Sequence, residues 1–198
     1  MTHILHIDAS CRHQGSASRV LSQKLLDKIR PESATVTYRD VSRGMQFVND
    51  EMIISYFVPP EERTAEQKEI ISLSDEITDE ILAADILVIG IPIYNFSMPA
   101  VFKAWCDLAA RVGVTFRYSE HGPVGLLENK KAFVAMTSGG TPIGGEIDFL
   151  TPWLKQFLKF IGIQDVVMIG AQGLRKSYAE ESIAQANEQI EQLERLKT

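Results

Sequence analysis

Three short stretches carry residue types that hold ligands. "ASCRHQGSAS" (9–18) gathers Ser10, Arg12, Ser16 and Ser18, all near one helix start. Hydroxyls, a guanidinium and free N–H groups at a helix N-terminus suit a phosphate dianion. Capping of that helix by Ser16 or Ser18 uses the same residue types, and the loop alone does not separate the two readings. "PIYNF" (92–96) offers the aromatic surface of Tyr94 and Phe96, and in Asn95 both a donor and an acceptor, as a flat heterocycle requires. Aromatics packed into a rigid turn would look similar. "TSGGT" (137–141) has two glycines, Gly139 and Gly140, that let backbone approach a ligand closely, although a Gly-Gly pair is most often only a turn.

These stretches need a frame that brings them together. Apolar runs at 4–8, 34–41, 85–92, 130–138 and 165–173 read as strands. Helical spacing covers 16–29, 64–84, 99–112, 149–161 and 177–196. The run "DILVIGIP" is almost continuously apolar, as a strand covered on both faces must be. Five strands alternating with helices predict an α/β fold: a five-stranded parallel sheet with helices on both faces. Ligands of such sheets bind beyond the carboxyl ends of the strands, at the switch point. The three stretches follow the first, third and fourth strands, so one sheet edge carries all of them. Neither G-x-G-x-x-G nor G-x-x-x-x-G-K-[ST] occurs in the first loop. A ligand with a phosphate, a polyol chain and a flat ring, such as riboflavin monophosphate (FMN), fits the combination.

The chain has 198 residues, 45% hydrophobic and 23% charged, which suits one soluble domain over 1–198. A net charge of −6 argues against a nucleic-acid partner. No apolar run approaches the roughly 20 residues that span a bilayer, so no membrane role is expected. The N-terminal sequence has no leader pattern, and Cys11 and Cys106 form neither a CxxC pair nor a disulfide framework; a cytoplasmic protein with reduced thiols is expected. Cys11 is more readily a small residue that fits than a reactive thiol. His3, His6 and His13 lack the spacing of a metal site, so no metal is expected. His121 is a candidate proton donor, although a loop-lining role suits it better. Glu51, Glu61 and Glu62 read as solvated charges.

"SCRHQGSAS", "PIYNFSMPAVFKAWCDLAARVGVTFRY", "HGPVGLL" and "FLKFIGIQDV" together resemble the FMN-dependent NADH-azoreductases, within the flavodoxin-like NAD(P)H:quinone oxidoreductase superfamily, over nearly the whole chain. The resemblance implies a homodimer with FMN at the interface. It implies an NADH- or NADPH-driven, ping-pong reduction of quinones and azo compounds, with no side chain acting as a nucleophile. It places the FMN phosphate near Ser10, Ser16, Ala17 and Ser18. It places the ring against Ile93, Tyr94, Asn95 and Phe96, and against Thr137, Ser138, Gly139 and Gly140. Phe116 and Phe160 match positions that line substrate pockets, although core or interface packing suits them equally. The family often reads Ser-Arg-Gly-Gly in the last loop, where this chain has no arginine. The rivals are a flavodoxin-type single-electron carrier and a scaffold that acts through protein contacts. Residues 42–63 form a long connection whose apolar Ile53, Ile54, Tyr56 and Phe57 suit a lid or interface.

Overall fold

The computed structural model describes residues 1–196; Lys197 and Thr198, the end of the expected domain, lie outside the described residues. In chain order the strands are β1 (His3–Asp8), β2 (Thr35–Asp40), β3 (Ile86–Ile93), β4 (Phe116–Ser119), β5 (Gly122–Gly125), β6 (Lys131–Ser138) and β7 (Asp165–Ala171). The helices are α1 (Ala17–Ile29), α2 (Asp50–Phe57), α3 (Ala65–Ile70), α4 (Ser72–Ala83), α5 (Ala100–Ala109), α6 (Leu150–Ile161) and α7 (Ala179–Glu191). Five strands form one parallel sheet in the order β2-β1-β3-β6-β7. The order reverses between β1 and β3, so a crevice opens beyond their carboxyl ends.

Alternation along each strand splits the core in two. Ile4, Ile86, Val88, Phe133 and Ala135 face α1 and α7, meeting Leu21, Leu25, Ile29 and Ile190. Leu5, Ile7, Leu87, Ile89 and Ile91 face the other layer, with Ile77 and Ile81 of α4, Trp105 of α5 and Leu158 of α6. Every residue of β3 is buried, as its apolar sequence requires.

Some elements depart from the sequence reading. The single helix expected over 64–84 is two, α3 and α4, broken at Ile71. Thr64 and Gln67 form the reciprocal cap that starts α3. Fully buried Ile71 adopts φ −96° and ψ 4°, and seating that side chain in the core redirects the axis. The last helix ends at Glu191, short of Leu196. Residues 42–63 contain α2, whose N-cap Asn49 accepts from Met52 N at 2.9 Å. The antiparallel pair β4–β5 was not anticipated: its four-residue strands are too short for a period-2 signal.

Candidate functional site

The loops after β1, β3 and β6 converge on one cleft of about 770 Å³, a volume typical of small-molecule sites. Of the twelve residues expected to hold a cofactor, eleven line it: Ser10, Ser16, Ala17, Ile93, Tyr94, Asn95, Phe96, Thr137, Ser138, Gly139 and Gly140. Ser18 does not; it is buried, and its hydroxyl pairs with that of Ser16 at 3.2 Å.

That pairing bears on the capping alternative. Ser16 is the N-cap residue of α1 in extended conformation, yet its side chain makes no capping bond. The positive end of α1 therefore meets the cleft without a side-chain oxygen from its own N-cap. Ser10 closes the loop from the other side, its hydroxyl 3.3 Å from Tyr94 Oη and accepting from Arg12 N at 3.2 Å.

A partly buried network fixes this loop. The Arg19 guanidinium donates to the Ser10 carbonyl (2.7 Å), Asp40 Oδ1 (2.7 Å) and Ser42 Oγ (2.9 Å) through Nη2, and to Tyr38 Oη (2.9 Å) through Nη1. Tyr38 donates to Asp8 Oδ2 at 3.0 Å, and Ser22 Oγ donates to Asp8 Oδ1 at 2.8 Å. Burial alone would raise the Asp40 pKa, but the hydrogen bonds from Arg19 and Ser42 outweigh it and bring the carboxyl down to about 2. Burial lowers the His6 pKa, with Asp8 opposing. A carboxyl whose folded pKa lies below its unfolded value of 3.8 contributes stability that is present above that value. That contribution is lost as pH falls through about 2. Asp40→Asn is expected to remove about 1 kcal/mol at neutral pH, after allowing for solvent screening. It should also flatten the unfolding curve between about pH 4 and pH 2, as read by urea denaturation across that range. An acid limb as steep as that of the parent chain would exclude this role.

The second loop is a tight turn. Tyr94 N donates to Ser97 O at 2.8 Å and Ser97 N returns to Tyr94 O at 3.0 Å. Its central residues both have positive φ, 47° at Asn95 and 71° at Phe96. Asparagine tolerates this conformation, whereas phenylalanine does so only under strain. Phe96 is 51% exposed, so packing does not repay the strain. Strain at an exposed aromatic points to a role in binding. Phe96→Gly is expected to stabilise the ligand-free chain by about 1 kcal/mol. The same change should weaken binding of a flat ligand roughly tenfold, the worth of one aromatic contact. Denaturation and a ligand titration on one preparation would check both signs.

The third loop turns under buried Thr137 and Ser138, with Gly140 N donating to Ser138 Oγ at 3.2 Å. The structure adds residues that the sequence reading missed: Leu174, Arg175, Lys176, Ala179 and Ile183 also line the cleft. They come from the loop after β7 and from α7. Arg175 N donates to Gly139 O at 3.2 Å, and the Arg175 stem lies over Gly139. An arginine thus stands beside a loop that has none of its own. The topology was the only available signal, since a loop following the edge strand shares the carboxyl end of the sheet.

Phe116 and Phe160 do not enter this cleft. They pack against each other at 4.4 Å between ring centroids. Phe116 lines a separate groove of about 270 Å³ with Ile53, Tyr56, Phe57 and Tyr118. His121 lies exposed on the β4–β5 turn, and Glu51, Glu61 and Glu62 are exposed. Cys11 is exposed within the first loop but outside the cleft lining, whereas Cys106 is buried and burial pushes its thiol pKa up.

A hydroxyl-rich helix start, a strained aromatic turn and a glycine loop at a sheet's switch point can seat a phosphate and a planar ring together. The sequence profile of the flavodoxin-like fold matches residues 2–193. An FMN-dependent NADH:quinone oxidoreductase of Erythrobacter litoralis is 45% identical, over 98% of this chain and 99% of that one. FMN-dependent NADH:quinone oxidoreductase 1 of a Jannaschia species is 51% identical, over 88% of this chain and 90% of that one. The crystal structure of azoreductase from Bacillus anthracis superposes with a TM-score of 0.87 at 26% identity, covering 96% of this chain and 97% of that one. Likeness in sequence over nearly the whole length places this chain in the FMN-dependent NADH:quinone oxidoreductase family of flavodoxin-like fold.

Proposed function

We propose that this chain is an FMN-dependent oxidoreductase that passes two electrons from NADH or NADPH to quinones and aromatic azo compounds, with donor and acceptor using one site in turn. The observation that carries the reading is the convergence of three loops of suitable chemistry on one cleft, with the N-terminus of α1 aimed into it. The donor set fits FMN. Ser10 and Ser16 supply hydroxyls, Ala17 and Ser18 first-turn backbone amides, and Arg12 positive charge for a phosphate. Ile93, Tyr94, Asn95 and Phe96 on one side, with Thr137, Ser138, Gly139 and Gly140 on the other, supply apolar and hydrogen-bonding walls for the ring. Bound there, FMN supplies hydride-accepting, two-electron chemistry that no side chain offers. The protein's part is to bind, orient and exclude water, and no side chain needs to act as a nucleophile.

A homodimer belongs to the proposal. Ile53, Ile54 and Phe57 of α2 and Tyr118 of β4 are exposed around the groove that Phe116 lines. A second copy covering them would make Phe116 and Phe160 part of a shared substrate pocket. A cytoplasmic location goes with two unpaired cysteines. No helix among the described residues is long and apolar enough to cross a membrane.

An anaerobic visible spectrum of the FMN-reconstituted protein tests the reading. The flavin bands should bleach with NADH and return with a quinone, with no partner protein present. Binding of FMN without bleaching would favour the single-electron carrier. Failure to bind FMN would leave only the fold, as a scaffold requires.

A further inference from the structure

We infer that Arg175 and Lys176 form a cationic lip on the cleft that selects planar aromatic acceptors carrying a carboxylate or sulfonate. This rests on the reading of the cleft as a flavin site and names the class of acceptor that it prefers. The chain as a whole is acidic, with 26 Asp and Glu against 20 Lys and Arg. The cleft inverts that balance: its lining includes Arg12, Arg175 and Lys176 and no carboxylate. Among the described residues none of the three cations has a carboxylate within ion-pair distance, whereas Arg19, Arg39 and Arg111 all do.

The lip is built into the fold. Leu174 N donates to Ser138 O at 3.0 Å and Arg175 N to Gly139 O at 3.2 Å, which ties the β7–α7 loop to the glycine loop. Lys176 N donates to Gly173 O at 2.8 Å, closing a turn. Gly173 sits at φ +65°, with the Tyr178 ring packed where a side chain would go, so only glycine fits. The Arg175 stem lies over Gly139, 3.4 Å from the position a Cβ would take there. Its charge therefore stands beside the loop expected to flank the ring, while Arg12 serves the separate anion site at α1.

Phe96 and Ile147, both about half exposed, line the same cleft. A cleft that holds exposed apolar side chains together with unpaired cations suits a flat aromatic body with an anionic substituent. Arginine adds a planar fork for carboxylate or sulfonate oxygens and a face that stacks on rings. Quinones and azo compounds that bear such groups match both kinds of side chain, and an uncharged quinone matches only the apolar ones.

The test compares 1,4-naphthoquinone-2-sulfonate with uncharged 1,4-naphthoquinone in the FMN-loaded protein. In the Arg175→Gln, Lys176→Gln double variant the ratio of their kcat/KM values should fall roughly tenfold, a loss of about 1.4 kcal/mol. The charge-retaining Arg175→Lys, Lys176→Arg variant should keep most of the preference, and added salt should erode it in the parent protein. Calorimetry with unreactive naphthalene-2-sulfonate and 2-naphthol should show the same preference, lost in the Gln variant. A ratio within twofold of the parent value would overturn the inference. So would a rise in KM for NADH with the acceptor ratio intact, because the lip would then grip the donor's diphosphate. If neither quinone is reduced, the proposed function fails, and the calorimetric preference alone decides whether the lip exists.

Discussion

Ser16→Asp is expected to make the ligand-free protein more stable and to abolish tight FMN binding. Ser16 occupies the N-cap position of α1 but makes no capping bond. An aspartate there would accept from the first-turn N–H groups and place a full negative charge at the positive helix end. Each effect is worth about 0.5–1 kcal/mol. The same carboxylate would occupy the donors that a phosphate needs and would repel its dianion. Two unit charges about 4 Å apart interact by about 4 kcal/mol at the effective dielectric of a protein surface, before screening. A loss of at least about 100-fold in FMN affinity, roughly 2.7 kcal/mol, follows. Ser16→Ala removes one hydroxyl without adding charge and should cost only about tenfold. The measurements are the thermal midpoint without ligand and a flavin fluorescence titration. Binding within threefold of the parent would show that the phosphate lies elsewhere. A fall in the midpoint would show that Ser16 is held for packing rather than for its hydroxyl.

The opposite signs follow from a conflict that is partly visible in the sequence. Ser10, Ser16 and Ser18 could be read as anion ligands or as caps, and residue types alone do not decide, because both roles use the same oxygen and the same N–H groups. The decision lies in a side-chain rotation, Ser16 turning to the Ser18 hydroxyl instead of to the backbone N–H groups of the first turn. The sheet was easier to read: β3 and β6 are long apolar runs, and their burial follows from composition. The break at Ile71 was not legible, because Ile70 and Ile71 both fit a helical stripe and only the depth of the core distinguishes them. Arg175 was missed for another reason. Its position depends on β7 lying next to β6, a pairing 34 residues apart in register, and no local pattern reports that. Phe116 and Phe160 were each expected either to line a substrate pocket or to pack in the core or an interface, and in the structure they pack on each other. Their separation from the cleft is a matter of tertiary geometry that spacing does not carry.

That pair depends on how the β4–β5 hairpin is held, and one position there should be intolerant of any side chain. Gly125 ends β5 and pairs with Phe116 across the hairpin. A Cβ on Gly125 would fall inside the backbone of Ile161 and Gly162, at the end of α6. Gly162 itself takes φ +109° to terminate that helix, and a Cβ there would come within 2.8 Å of Leu127 N. The two glycines thus let a hairpin and a helix end meet backbone to backbone, with Leu127 N donating to Ile161 O at 3.0 Å. Phe116, opposite Gly125, packs on Phe160 of α6, so the same contact ties the hairpin to that helix. Gly125→Ala should therefore cost about 3 kcal/mol, at the upper end of overpacking penalties, and lower the thermal midpoint by roughly 6–12 °C. Gly140→Ala is the control: a Cβ there meets nothing within 4 Å, so the ligand-free stability should change by no more than about 0.5 kcal/mol. Because the hairpin lies outside the cleft lining, FMN affinity in Gly125→Ala should stay within about threefold of the parent below the midpoint, about 0.7 kcal/mol. A midpoint within 2 °C of the parent would mean that the hairpin is not seated on α6 as described. An equal loss of FMN affinity would mean that hairpin and cleft are one structural unit, and Phe116 would then have to be counted with the cofactor site.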